Sequence, residues 1–154
     1  MPGNAHAKMQ IVVEVEISVK DKLSEAQTNV AFDIVEESIT KILDYNNFEI
    51  KEEDCRSLSS VHNNYILKTQ YSVTLLIECD LRIIPGTYQE PSEVDWSDTI
   101  FYENVDDFNS MKLGMENYIK ERFTKDESLK NLGFVESLVN FRVVGAPHFE
   151  WKRV

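Results

Sequence analysis

Residues 65–84 read YILKTQYSVTLLIECDLRII, and no other stretch of the chain carries so clear a signal. Tyr65, Leu67, Thr69, Tyr71, Val73, Leu75, Ile77, Cys79, Leu81 and Ile83 occupy every second position, with Lys68, Gln70, Ser72, Thr74, Glu78, Asp80 and Arg82 among the residues between them. Side chains of an extended chain alternate between two faces, so this pattern predicts a strand with one buried face. Leu75-Leu76-Ile77 is apolar on both faces, which places the deepest burial there. Twenty extended residues span roughly 65 Å. A compact domain of 154 residues is only about 40 Å across. The strand therefore bends or bulges, or one end projects as a hairpin arm with residues 55–61.

Upstream, His62-Asn63-Asn64 reads as a tight turn and Cys55 to Val61 as a strand, behind the solvated loop Lys51-Glu52-Glu53-Asp54. Before these, Ala31, Ile34, Val35, Ile39, Ile42 and Leu43 recur at helical spacing. Ser24 and Gln27 have the spacing of a capping box at the start of that helix, and Tyr45-Asn46-Asn47 ends it. Ile11, Val13, Val15, Ile17 and Val19 alternate with more polar residues and predict the first strand. Downstream, Pro85-Gly86 stops the long strand. A second helix begins near Asn104, with Phe108, Met111, Met115, Tyr118, Ile119 and Phe123 as its apolar stripe. Residues 126–132 add a short helical turn stopped by Gly133, and Val135 to Val144 form a last strand closed by Gly145-Ala146-Pro147.

This order predicts an α+β fold, a ferredoxin-like βαββαβ sandwich with two helices on one face of an antiparallel sheet and an acidic insertion before the second helix. One domain covers 1–154, with 1–9 as a flexible lead-in, 85–104 as the acidic insertion and 146–154 as a tail.

Composition limits the function. The chain is 42% hydrophobic and has 27 acidic side chains against 16 basic ones, a formal net charge of −11. That is too apolar for a disordered chain, and no apolar run reaches the roughly 20 residues that cross a bilayer. The charge opposes direct nucleic-acid binding, which needs clustered Lys and Arg. Cys55 and Cys79 have no Cys-x-x-Cys spacing and read as reduced thiols, and the N-terminus lacks a signal-peptide pattern, so the expected location is cytoplasmic.

Catalytic signatures are sparse. The five glycines are too far apart to cradle a phosphate. The strand at Tyr65 lacks the basic, glycine-rich and aromatic signature of RNA-recognition modules. His6, His62 and His148 stand apart and lack zinc-ligand spacing. No Gly-x-Ser-x-Gly elbow or His-x-Ser/Thr pair occurs. The carboxylate options are Glu78 with Asp80 on one strand face, Asp95 with Asp98, and the Glu-x-Lys spacing of Glu49 and Lys51 with Asp44 upstream. Each also fits an ordinary solvated surface, and no cofactor or metal is expected.

The unusual segment runs from Ile83 to Met111. It carries Glu90, Glu93, Asp95, Asp98, Glu103, Asp106 and Asp107, with Tyr88, Trp96, Phe101 and Tyr102 interleaved, and it contains no Lys or Arg. Read as a recognition surface, its aromatics anchor and its acids steer a basic partner. The leading expectation is a non-enzymatic inhibitor or accessory protein that occupies a basic, nucleic-acid-binding surface of a partner protein such as a nuclease. Immunity proteins of nuclease toxins and phage-encoded inhibitors of bacterial defence use the same charge logic. The alternatives are an oligomeric assembly module pairing through its long strand and a small carboxylate-based metal-dependent enzyme.

Overall fold

The alternation of residues 11–19 becomes the latter part of β1 (Gly3–Val19), and the Ser24/Gln27 pair opens α1 (Glu25–Tyr45). The Gln27 N–H donates to Ser24 Oγ at 3.1 Å and the Ser24 N–H to Gln27 Oε1 at 2.8 Å, which is the reciprocal capping box. A computed structural model describes residues 2–45, 48–65, 70–94 and 105–154. It continues with β2 (Cys55–Tyr65), β3 (Gln70–Tyr88), α2 (Val105–Lys125) and β4 (Phe134–Arg153). Short 3-10 turns lie at Glu52–Asp54, Pro91–Glu93 and Lys130–Leu132.

The described strands form one antiparallel sheet in the order β2-β3-β1-β4. Met9, Ile11, Val13, Val15, Ile17 and Val19 of β1 and Val73, Leu75, Ile77, Cys79, Leu81 and Ile83 of β3 share one buried face. Ala31, Ile34, Val35, Ile39 and Leu43 of α1 and Met111, Met115, Ile119 and Phe123 of α2 pack onto it. The fold is therefore α+β, two helices on an antiparallel sheet, and it is not a strict ferredoxin topology. The strands are also longer than the helices that cover them. A 21-residue helix is about 32 Å long, whereas the 20 residues of β4 extend about 65 Å. The sheet outgrows its helical layer.

Four expectations need correction. Residues 3–9 are not a flexible lead-in: they pair with both β3 and β4, from Gly3 opposite Tyr88 and Arg153 onward. Ala5 and Ala7 are fully buried, opposite Trp151 and Phe149. Gly3 lies so close under Trp151 that an added Cβ would sit 2.5 Å from the indole. The tail 146–154 is likewise strand, and Val154 N–H donates to Pro2 O at 3.2 Å. Finally, Pro85-Gly86 does not end β3, nor does His62-Asn63-Asn64 turn the chain, since both lie inside strands.

The far end of the long strand is not a hairpin arm with β2. Apart from a lone bridge between Glu49 and Arg82, β2 leaves β3 at Cys79, and the remainder of β3 pairs with the start of β1. Irregularities at Ala5/Ala7, Lys8/Gln10 and Ser57/Ser59 relieve the length by bending the sheet. Gly145, with φ +75°, sits where β4 slips against β1.

Candidate functional site

The acidic segment begins at the end of the sheet where β3 pairs with the start of β1. Tyr88 is the last residue of β3 and is half-buried. Glu90 and Glu93 follow, both exposed, around the 3-10 turn Pro91–Glu93. Pro91 suits the first turn position because its missing N–H would have no partner there. The turn is closed by its own acids. Glu93 Oε2 accepts the N–H groups of Gln89 at 2.8 Å and Glu90 at 3.4 Å, and Ser92 Oγ donates to Glu90 Oε2 at 3.3 Å. Val94 is then buried. Asp106 and Asp107 lie in the first turn of α2. Asp95, Trp96, Asp98, Phe101, Tyr102 and Glu103 lie outside the described residues.

No described ion pair involves Glu90 or Glu93. Glu78 and Asp80 behave differently. The Arg56 guanidinium on the neighbouring strand donates to Glu78 at 2.6 Å and to Asp80 at 2.8 Å. Gln10 Nε2 reaches the same two carboxylates at 3.0 and 3.3 Å. The hydrogen bond from Arg56 holds the Asp80 carboxyl below its ordinary value against the opposing effect of desolvation. The pair is thus committed to a cation the protein supplies itself.

The other carboxylate candidates do not converge. Glu49 is fixed through its backbone to Arg82, with N–H···O distances of 2.7 and 3.0 Å, while Lys51 donates its own N–H to Asp54. Among the described residues, no three His, Cys, Asp or Glu side chains stand together as a metal site. His148 Nε2 is 3.3 Å from Glu150 Oε1, which Lys8 Nζ also reaches at 3.2 Å. His62 is exposed near the end of β2 and lines a hollow of about 470 Å³ with Lys22, Glu25, Asn29 and Phe32. Sequence reading did not find that hollow, because it is built by the loop after β1, the start of α1 and an edge strand.

The sheet face away from the helices carries Glu14, Glu16, Thr74, Leu76, Glu78, Asp80 and Arg142 along β1, β3 and β4. Charged and aliphatic groups there offer no aromatic platform on which bases would stack.

No helix among the described residues is long and apolar enough to cross a membrane. No protein-family model matches the chain, and no curated protein matches it. Three solved chains match in structure. One of them, a de novo designed protein named Foldit4, is 13% identical, covers 89% of this chain and 98% of its own length, and superposes with a TM-score of 0.30. A likeness at that level carries no argument about function.

Proposed function

We propose that this is a non-enzymatic acidic protein that docks on the basic surface of a partner protein, a surface built to hold a nucleic-acid backbone, and so inhibits or modulates that partner. The supporting observation is that, among the described residues, no cation pairs with Glu90 or Glu93, in a segment without Lys or Arg from Ile83 to Met111. Carboxylates that no internal cation neutralises keep their long-range field. In this reading Tyr88, Trp96, Phe101 and Tyr102 provide contact area. Asp95, Asp98, Glu103, Asp106 and Asp107 extend the negative field, and no cofactor takes part. The scaffold is an elaborated relative of the ferredoxin-like sandwich, working in the cytoplasm.

The test is association kinetics against the partner captured from the source cell. The expected result is an association rate that falls steeply with added salt, and in parallel with displacement of nucleic acid from that partner. A rate that does not change with ionic strength would sink the proposal.

A second reading, an assembly module, rests on β4. This strand lies at the edge of the described sheet, and Val135, Leu138, Val143 and Val144 are 39–43% exposed along it. Such an edge invites strand pairing. Its middle is guarded, however. Glu116 Oε1 accepts the outward N–H of Val139 at 2.9 Å, and Lys112 Nζ donates to Asn140 at 3.0 Å. Pro147 offers no donor at all. Sedimentation of the wild type beside Glu116→Ala separates the readings. An assembly module is already oligomeric as wild type, whereas a guarded edge associates only after the carboxylate is removed.

A further inference from the structure

Cys55 opens β2, and Cys79 lies directly opposite it on β3. Their Sγ atoms are 3.7 Å apart and both side chains are buried on the helix side of the sheet. The backbone register gives the pair its chemical interest. Glu49 and Arg82 exchange both of their backbone hydrogen bonds, so the Arg82 N–H points toward the β2 side. Pairing with β1 runs without a slip from Val73 to Ile83, so peptide direction alternates regularly along β3 there. Cys79 is three residues before Arg82, and its N–H therefore points toward β1. Cys55 and Cys79 thus form a non-hydrogen-bonded antiparallel pair. Opposite Cα atoms at such a position are about 4.5 Å apart, inside the roughly 4.4–6.8 Å range that a disulfide bridges.

The two thiols are also ordered in space. Cys79 Sγ donates to Cys55 Sγ, and Cys55 Sγ donates onward to Lys51 O at 3.8 Å. Cys79 is sealed at 0% exposure, while Cys55 sits on the edge strand of the described sheet at 9%, behind the 3-10 turn Glu52–Asp54. An oxidant entering from the edge therefore meets Cys55 first.

We propose that Cys55 and Cys79 are a redox couple that closes into a cross-strand disulfide joining the edge strand to the centre of the sheet. With a small-molecule disulfide such as oxidised glutathione, the Cys55 thiolate attacks one sulfur, forms a mixed disulfide and releases one thiol. The Cys79 thiolate then attacks Cys55 Sγ and releases the second thiol. The protein loses two electrons and two protons, and the oxidant is reduced to two thiols. The hydrogen bond to Cys55 and burial both keep the Cys79 thiol protonated, pushing its pKa up, so closure waits on brief opening of the edge at Cys55. The product closes the loop from Cys55 to Cys79, which contains the β2–β3 connection, and constrains the unfolded chain.

The experiment equilibrates the reduced native protein with oxidised glutathione, blocks remaining thiols with a maleimide under denaturing conditions and measures intact mass and melting temperature. The expected product is a monomer about 2 Da lighter that takes up no maleimide. Its melting temperature is several degrees higher, as expected when a cross-link constrains the unfolded state. Both changes disappear in Cys55→Ser and in Cys79→Ser. The mass of the wild type does not depend on whether either variant folds. Maleimide on both cysteines after equilibration, stable glutathione adducts, disulfide-linked dimers alone, or an oxidised monomer that melts lower would each overturn the proposal.

Discussion

Two groups of carboxylates, equal in formal charge per residue, have opposite environments in this protein. Glu78 and Asp80 stand in the middle of a sheet face, and Arg56 bridges them from the next strand. Glu90 and Glu93 leave the end of the same strand and, among the described residues, find backbone N–H groups and a serine hydroxyl. The first group spends its charge on joining β2 to β3, whereas the second retains its charge for the surroundings. A count of acids along the chain treats the groups alike, so the position of a single arginine determines which of them can act at a distance.

The largest expected effect separates the groups by association. Glu90→Lys combined with Glu93→Gln removes negative charge while leaving an acceptor at residue 93 for the turn. Association with the cationic partner should slow about tenfold at low salt, with the urea midpoint of unfolding unchanged. Next comes Arg56→Ala, which leaves the other carboxylate pair without its cation. It should cost about 1 kcal/mol in urea unfolding, since these side chains are largely solvent-screened, and modestly raise the association rate at low salt, because Glu78 and Asp80 then regain a field of their own.

Acid titration sharpens the same contrast. The folded Asp80 pKa lies below its unfolded value because Arg56 donates to it. Its contribution is therefore present above the ordinary carboxylate range and is lost as pH falls through the depressed folded value. Urea midpoints measured from about pH 6 down to about pH 3 should show that loss in the wild type and a smaller one in Arg56→Ala.

The smallest effect concerns Glu36, whose pKa is raised chiefly by burial and further by Asp33 and Glu52, against a hydrogen bond from Ser57 Oγ. A carboxyl with a raised folded pKa penalises the fold once ionised, so the penalty grows as pH rises through that value. Glu36→Gln should stabilise by a few tenths of a kcal/mol, about the scale of screened surface electrostatics, at neutral pH and by nothing in acid. The paired unfolding curves at the two pH values provide the check.

What could be read in the sequence depended on whether side chains or neighbours carried the information. Ser24 and Gln27 announce α1 because the capping box is local, and Ile11 to Val19 announce β1 because their own aliphatic groups alternate. Gly3, Ala5 and Ala7 hide their strand. Their small side chains give little alternation, and their burial is supplied by Trp151 and Phe149, more than 140 residues later. Polar His62 and Asn63 resemble a turn, yet the edge strand of the described sheet accommodates them because both are exposed to water. The acidic segment stood out as composition, and the structure places Tyr88, Glu90 and Glu93 at the end of β3 and in the turn after it. The neutralisation of Glu78 could not be foreseen, because it requires the particular register that sets Arg56 opposite it.

The contact of Pro2 with Val154 has a practical reach. With Gly3 beside Arg153 in adjacent antiparallel strands, a short turn would splice β4 directly into β1 as a hairpin. The gene could then be opened between the exposed Glu127 and Ser128, giving a circularly permuted protein with the same sheet and relocated attachment points for dyes or fusion partners.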